Sequence, residues 1–344
     1  MSKIWKKILA LCLSTLLVLS LFTACGNGGA NETTTEPGPT EPAEEAKVLK
    51  VLTLGHSLGV DTGHMMNLIF ATEGLGNYDK MVMATLYYSG CPLYKHVNFL
   101  TADQPEYNLY LSSTETPNAP PQIMENVTMR DALAFDYWDV IVMMGGVFEI
   151  AHSETYTDGK IQTIQAYVNE HKHNPLAIFA WHMPWAPPVN NDLRDKYPYE
   201  NNSYYTSYEV FDHNRTNFYN ALTTCVSDHI ATDETFEFII PTGTALENAL
   251  SSYLEETDLH RDYVHATDLG RVIATYTWYC KLMGIEQLDE VKLDAIPKAF
   301  LKSTQDKTQD RVITDAEKLI ILEAVNNTLK TPLQMTQSQY TEAP

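Results

Sequence analysis

Apolar residues cluster in five short runs rich in β-branched or aromatic side chains. The runs span residues 48–54, 81–87, 138–144, 176–181 and 236–241. Continuous apolar runs of this length are typical of parallel strands buried on both faces. Helical spacing of apolar residues appears between and after them, at 65–72, 160–170, 215–228, 243–254 and 269–283. Strand and helix therefore alternate, which predicts an α/β fold.

This alternation predicts a three-layer α/β/α sandwich with a five-stranded, mainly parallel sheet, because parallel neighbours need crossover helices. Functional residues of such sheets lie at the carboxyl ends of the strands. Two long polar segments, 96–134 and 183–212, are rich in Pro, Asn and Tyr. We expect both to be loops or insertions over that edge of the sheet.

The N-terminus predicts an exported protein. Three lysines precede a mostly apolar run at 8–22, which ends in Thr23, Ala24 and Cys25. The run is short of the ~20 residues that a spanning helix needs, so we predict a signal peptide at 1–24. Residues 21–25 resemble the lipobox of bacterial lipoproteins. The resemblance implies lipidation of Cys25 and an extracytoplasmic protein anchored to the cell membrane by its lipid.

The rest of the chain divides into a tether, one domain and a tail. Residues 25–47 are rich in Gly, Thr, Pro and Glu and lack apolar periodicity, which predicts a disordered tether. Residues 48–330 can bury the core of one large domain, and its last helical pattern spans 314–329. We expect 331–344 to be a flexible tail.

Composition narrows the partners and the thiol chemistry. The net charge is −21, and loss of the three signal-peptide lysines makes it about −24, which argues against nucleic acid as a partner. Cys91, Cys225 and Cys280 remain in the domain. Their odd number and apolar surroundings favour buried thiols over a disulfide framework. Cys91 could also be a nucleophile, but inert packing is the more common role beside a strand end.

Ser57 is the first candidate for chemistry. It lies within Leu54 to Gly59, directly after the first predicted strand and before a helix. A hydroxyl there projects over the sheet edge, and the helix N-terminus offers backbone N–H groups that can stabilise an oxyanion. Taken singly, a Gly-x-Ser sequence is more often a turn or a helix cap.

A second motif lies much later, where Asp262 and His265 precede a helix capped by Thr267 or Asp268. An aspartate three residues before a histidine on a turn can hold one ring nitrogen. It thereby fixes the tautomer and stabilises the cation that forms when the histidine takes a serine proton. An isolated pair of this kind is more often two solvated turn residues.

The two motifs together resemble the SGNH (GDSL-like) hydrolases, in which a serine follows the first strand and Asp-x-x-His precedes the last helix. The resemblance spans roughly residues 50–283. It implies the flavodoxin-like SGNH fold, with Ser57 as nucleophile, His265 as base and Asp262 as its orienting carboxylate. It also implies an oxyanion hole formed by the N–H groups of Ser57 and Gly90. We predict no cofactor.

Two departures bear on activity. The third sequence block of the family carries Gly-x-Asn, whose asparagine is an oxyanion donor, but residues 143–149 contain no asparagine. Loss of one such donor typically costs on the order of 10² to 10³ in rate. His56 also replaces the more usual Asp or Asn beside the serine.

The resemblance implies an extracytoplasmic serine esterase, an O-deacetylase of acylated glycans, whose partners are a small-molecule or glycan ester and the membrane. The alternative is a catalytically weakened surface lipoprotein of the same fold that binds glycans. A transporter's solute-binding lipoprotein would show two similar α/β lobes, and the pattern predicts one.

Two other groups of residues allow a functional and a structural interpretation. His171 with His173, or His56 with Asp61 and His64, could bind a metal. The first pair lies at the polar end of a predicted helix, where solvated histidines are more common, and the second group has no recognised ligand signature. We therefore predict no metal site. Aromatic residues after the fourth strand could stack on sugar rings or pack in the core: Trp181, Trp185, Tyr197, Tyr199, Tyr204 and Tyr205.

Overall fold

The computed structural model describes residues 46–147, 149–189, 209–296, 301 and 311–344. Several predicted features lie outside these residues: the signal peptide, the lipidation site Cys25, the tether up to residue 45, and Tyr197, Tyr199, Tyr204 and Tyr205.

The strands form one mixed sheet in the order β4-β3-β2-β1-β5-β6-β7. Their bounds are β1 Val48–Gly55, β2 Lys80–Tyr87, β3 Tyr107–Ser113, β4 Gln122–Val127, β5 Val140–Met143, β6 Ile178–His182 and β7 Phe236–Ile240. The pairs β1/β2, β1/β5, β5/β6 and β6/β7 are parallel. β3 pairs antiparallel with β2 and with β4. The α/β fold is confirmed, but the described sheet has seven strands and not five.

The two additional strands lie in 96–134, a segment that we expected to be a loop or an insertion. In β3, Tyr107, Leu109 and Leu111 are buried and alternate with less buried residues, which is the period-2 pattern of a strand. β4 is the edge strand, and most of its residues are exposed. It therefore has no apolar pattern to read. The polar composition of the segment concealed the alternation in β3, so the predicted number of five strands was wrong.

The helices lie on both faces of the sheet. They are α1 Ser57–Glu73, α2 Leu93–Ala102, α3 Met129–Phe135, α4 Glu154–Thr157, α5 Lys160–His171, α6 Arg215–Cys225, α7 Thr242–Leu250, α8 Glu256–Leu259, α9 Asp268–Met283 and α10 Asp315–Lys330, with a π turn at Val226–Ile230 and a 3₁₀ turn at Leu293–Ala295. None of the helices in the described ranges is both long enough and apolar enough to cross a bilayer.

Each face of the sheet buries its own core. The helices α1, α7, α9 and α10 cover one face, and α2, α3, α5 and α6 cover the other. Successive residues of β1 alternate between the two cores, because side chains of a strand point to opposite faces: Val51 packs into the first core and Leu52 into the second. Cys91, Cys225 and Cys280 are free, buried thiols.

Residues 331–344, for which we expected a flexible tail, are held against the end of α7. Thr336 N–H donates to Asn248 Oδ1 at 2.7 Å, and Ser338 N–H donates to Ser251 Oγ at 2.8 Å. The carbonyl of Tyr340 accepts from Tyr253 N–H at 2.9 Å. Hydrogen bonds of this kind leave no periodic pattern in a sequence, so the sequence did not indicate these contacts.

Candidate active site

Ser57 is the first residue of α1 and lies two residues beyond the end of β1. β1 is central in the sheet, and its last residues stand level with the carboxyl ends of β2 and β5, since Gly55 pairs with Tyr87 and Leu54 with Met143. Ser57 is half-buried. Its hydroxyl is thus placed at the carboxyl edge, beside the N–H groups of a helix N-terminus.

The buried side chain of His56 caps the helix that begins at this turn. Its ring is fully buried, Nε2 donates to Gly145 O at 3.0 Å, and Nδ1 accepts the N–H of Leu58 at 3.4 Å. Burial lowers the pKa of His56 to about 4, against the opposing effect of the hydrogen bond to Gly145. The neutral ring caps α1 as an Asp or Asn would, which accounts for the departure at this position.

Gly90 lies in the turn after β2, where Cys91 N–H donates to Tyr88 O at 3.2 Å. The φ angle of Gly90 is 59°, a left-handed conformation that favours glycine. This turn leaves the same edge as Ser57, on the neighbouring strand. The arrangement is compatible with an oxyanion hole formed by two backbone N–H groups.

Glu149 joins the start of α2, which follows the Gly90 turn, to the segment after β5. Its Oε1 accepts the N–H of Leu93, the first residue of α2, at 2.7 Å, and the N–H of Gly146 at 2.9 Å. Burial raises the pKa of Glu149, and the two hydrogen bonds oppose that effect. One carboxyl therefore fixes two of the segments that surround the proposed oxyanion site.

Asp262 and His265 form a tight, hydrogen-bonded turn. His265 Nδ1 lies 2.8 Å from Asp262 Oδ2 and 3.0 Å from Oδ1. Asp262 Oδ1 also accepts the N–H of His265 at 2.7 Å and of Val264 at 2.9 Å. Burial alone would raise the pKa of Asp262, but these hydrogen bonds outweigh it and lower the pKa to about 2. The carboxylate therefore stays ionised and directs Nε2 of the ring away from itself.

Two buried residues hold this turn over the carboxyl edge of the sheet. Asp61, on α1, accepts the N–H of Ala266 at 3.1 Å. Trp185, just after β6, donates from Nε1 to Val264 O at 2.8 Å. His265 also lies close enough to His56 that its charge contributes to lowering the pKa of His56. The Asp-x-x-His turn and the Ser57 turn thus lie at the same edge of the sheet.

The described contacts bring the predicted residues together without closing every bond of a triad. Asp262 and His265 are directly bonded, and the hairpin that carries them is bonded to the helix that carries Ser57. No hydrogen bond between Ser57 and His265 is among the contacts of the described residues. Such bonds are often long in ligand-free enzymes and shorten when substrate binds.

The structure also bears on the metal-binding and sugar-stacking interpretations. Within the described ranges, no group of three His, Cys, Asp or Glu side chains is arranged to bind a metal; the side chain of His64 lies outside the description. Trp181 and Trp185 are fully buried. They pack in the core, and the idea that these two rings stack on sugars was wrong.

Two residues at this site were missed as contributors from the sequence. Asp61 was considered only as a metal ligand, and Glu149 was not singled out. A signal existed for Asp61, because no other Asp, Glu, Lys or Arg occurs in α1 before Glu73 and a buried carboxylate requires a partner. Glu149 carried no such signal, since its partners are backbone N–H groups.

Comparison with known proteins places the fold. A crystal structure of a DUF4886 family protein from Bacteroides uniformis is similar with a TM-score of 0.67 and 20% identity, over 86% of this chain and 100% of that one. A protein from Slackia heliotrinireducens, provisionally described as an SGNH hydrolase, has a TM-score of 0.40 and 16% identity, over 67% of this chain and 97% of that one.

A sequence comparison identifies the family more directly. No curated protein sequence matches the chain significantly. The model of one family, described as "Domain of unknown function (DUF4886)", matches residues 50–296. This span includes most of β1, all of β2 to β7, the Ser57 turn and the Asp262–His265 turn. The chain therefore belongs to the DUF4886 family.

Proposed function

We propose that this chain is a serine esterase of the SGNH type, with Ser57 as nucleophile, His265 as base and Asp262 as its orienting carboxylate. The observation that carries the proposal is the Asp262–His265 pair. Its Nδ1 contact of 2.8 Å leaves Nε2 as the proton acceptor, and Asp61 ties its hairpin to the helix that begins at Ser57.

In the proposed reaction, His265 Nε2 takes the hydroxyl proton as Ser57 Oγ attacks the acyl carbonyl. The N–H groups of Ser57 and Gly90 stabilise the oxyanion. Collapse of the tetrahedral intermediate expels the alcohol, which takes the proton from His265. Water then attacks the acyl-enzyme with His265 as base. Collapse of this second intermediate breaks the bond to Ser57 Oγ, which takes the proton back from His265 as the carboxylic acid leaves. Asp262 remains ionised throughout, in keeping with its lowered pKa.

The substrate that we propose is an O-acetylated glycan outside the cytoplasmic membrane, reached by an enzyme that Cys25 anchors through its lipid. The support is the N-terminal pattern, with its apolar run and the lipobox-like Leu21 to Cys25. The SGNH resemblance supports the ester chemistry. The glycan itself rests on family analogy.

A second candidate function is glycan binding by a catalytically weakened member of the same fold. One observation favours it: the segment after β5 contains Gly145 and Gly146 but no asparagine, so one oxyanion donor of the family is missing. The polar contacts of Asp262 and His265 favour the enzyme, because a binding module has no use for an imidazole oriented in this way.

Hydrolysis of p-nitrophenyl acetate and of acetylated oligosaccharides by the full chain tests the proposal. Ser57→Ala is expected to abolish turnover and labelling by a fluorophosphonate. Ser153→Ala is the matched control, because Ser153 Oγ lies 3.1 Å from His229 Nε2 and forms a second serine–histidine contact. We expect Ser153→Ala to be fully active. Equal turnover by wild type and Ser57→Ala would refute the esterase, and glycan binding without turnover would establish the second function.

A further inference from the structure

Asp61 is an almost completely buried carboxylate that binds both sides of the hairpin carrying His265. Its exposed fraction is 3%. Arg261 donates to Asp61 from both terminal nitrogens, at 3.0 and 3.1 Å. Ala266 N–H donates at 3.1 Å. Arg271, from α9, adds two further bonds at 2.8 and 3.2 Å. Five N–H groups therefore converge on one carboxylate.

The residues that Asp61 holds are the two ends of the Asp262–His265 turn. Arg261 precedes Asp262, and its N–H donates to His265 O at 2.9 Å. Ala266 follows His265 and forms an antiparallel bridge with His260. The guanidinium of Arg261 also donates to Ala266 O. The turn is thus a small closed hairpin, and a displacement of Asp61 would displace both of its ends together.

Asp61 lies four residues after Ser57 on α1. Residues at positions i and i+4 of a helix lie one above the other on the same face. The helix face that presents Ser57 is therefore the face whose carboxylate binds the hairpin. The charges also balance, because Arg271 bonds Asp268 at 2.8 Å as well as Asp61. Two carboxylates and two guanidinium groups make a neutral, mostly buried cluster.

We propose that Asp61 is a positioning residue that sets the location of His265 relative to Ser57. It acts through the hairpin and does not itself contact the reacting atoms. The inference rests on the proposed esterase function, since it assigns Asp61 a role in aligning that same pair. A displacement of about 1 Å at a reacting centre can cost on the order of 10² in rate, so the expected effect is large.

Asp61→Asn tests the role, because it removes the charge that holds two guanidinium groups while it keeps the size of the side chain. We expect kcat on p-nitrophenyl acetate to fall by about 10² per active site, with KM within about twofold of wild type. Active sites are counted by titration with a fluorophosphonate, so that misfolded molecules do not enter the rate. Asp61→Glu keeps the charge but moves the carboxylate by one methylene, and its kcat is expected to lie between those of wild type and Asp61→Asn.

Glu317→Gln is the matched control. Glu317 is also a buried carboxylate; it accepts from Arg311 at 2.6 Å and from Thr314 N–H at 2.7 Å, at the start of α10. The same loss of a buried charge pair there is expected to lower the melting temperature without changing kcat per titrated site. An equal fall of kcat in Glu317→Gln and Asp61→Asn would overturn the positioning role.

A spectroscopic readout separates displacement of the hairpin from its collapse. The downfield proton resonance of His265 Nδ1–H reports its bond to Asp262. It is expected to persist in Asp61→Asn while kcat falls; its loss would indicate a collapsed turn and overturn the role. If Ser57→Ala retains turnover, the esterase proposal itself is wrong. If Ser57→Ala is inactive and both Asp61 variants keep wild-type kcat, only the positioning role is wrong.

Discussion

Lowering the pH from 7 to 5 is expected to remove much of the folding free energy, because four histidines are buried in neutral form. His56, His96, His182 and His260 are each at most 1% exposed. Burial lowers the pKa of His56 and His260 to about 4 and the pKa of His96 and His182 to about 3. In the unfolded chain each returns to about 6.5.

The sign of the effect follows from proton binding. Between about pH 4 and 6.5 the unfolded chain holds these protons and the folded chain does not, so stability is complete above this window and falls as the pH falls through it. Each histidine costs about 1.8 kcal/mol between pH 7 and 5, and the four together about 7 kcal/mol. Glu247 opposes them, since burial raises its pKa to about 7 despite the nearby Arg215. That carboxyl restores about 2 kcal/mol.

The net loss of about 5 kcal/mol compares with a total stability of about 5–15 kcal/mol for a typical domain. Urea unfolding followed by tryptophan fluorescence at half-unit pH steps between 7 and 5 measures it. His96→Gln is expected to reduce the slope of the unfolding free energy against pH, because an amide does not titrate. The amide can still bond the Tyr107 hydroxyl, which His96 Nδ1 contacts at 2.8 Å. Glu247→Gln is expected to steepen the slope, since it removes the opposing group.

His173→Gln is the control, because it makes the same substitution at a residue on the surface. The slope of its unfolding free energy against pH should match that of wild type. The reasoning is refuted if the unfolding free energy stays constant from pH 7 to 5. It is also refuted if His96→Gln and His173→Gln change the slope equally.

Three further predictions concern the proposed site. Asp262→Asn should lower kcat by about 10⁴, because an amide no longer fixes the tautomer of His265. A pH–rate profile should show this loss at every pH at which the wild type is active. A kcat of Asp262→Asn within tenfold of wild type would contradict the triad. Glu149→Ala should lower kcat about tenfold or more by freeing the segments around the oxyanion site. Glu149→Gln should have a kcat near wild type, because its amide oxygen still accepts both N–H groups. Equal kcat values for the two variants would contradict this role of the Glu149 hydrogen bonds. Gly90→Ala should cost about 1–2 kcal/mol in urea unfolding, because its φ of 59° is unfavourable for alanine, and an unchanged midpoint argues against the turn.

The sequence predicted those features whose causes are local. The five parallel strands appear as continuous apolar runs because both faces of the sheet are covered, and their bounds in the structure agree within a few residues. The Asp262–His265 bond was equally accessible, since a three-residue spacing on a turn determines it. β4 was not accessible, because an exposed edge strand buries almost nothing and so leaves no periodic signal.

The aromatic residues show a different limit. Trp181 lies near the end of β6 and Trp185 follows that strand, at the carboxyl edge of the sheet. The sequence alone allowed sugar stacking or core packing equally for both rings. Their burial depends on which distant segments cover them: Trp185 Nε1, for example, donates to Val264 O, 79 residues further along the chain. A local pattern does not contain this information.

Asp61 lies between these cases and shows how one distant contact could have been inferred. In α1, the positions three and four residues from Asp61 are occupied by Leu58, Ser57, His64 and Met65, none of which is a lysine or an arginine. An acid on an apolar helix without a local cation must be solvated, protonated or paired with a distant cation. Arginines flank the Asp-x-x-His motif, at 261 and 271, and a nucleophile helix that packs beside this motif brings them within reach. The charge of Asp61 is therefore a signal in the sequence that the segments of Ser57 and of Asp262–His265 pack together, and the interpretation of Asp61 as a candidate metal ligand did not use it.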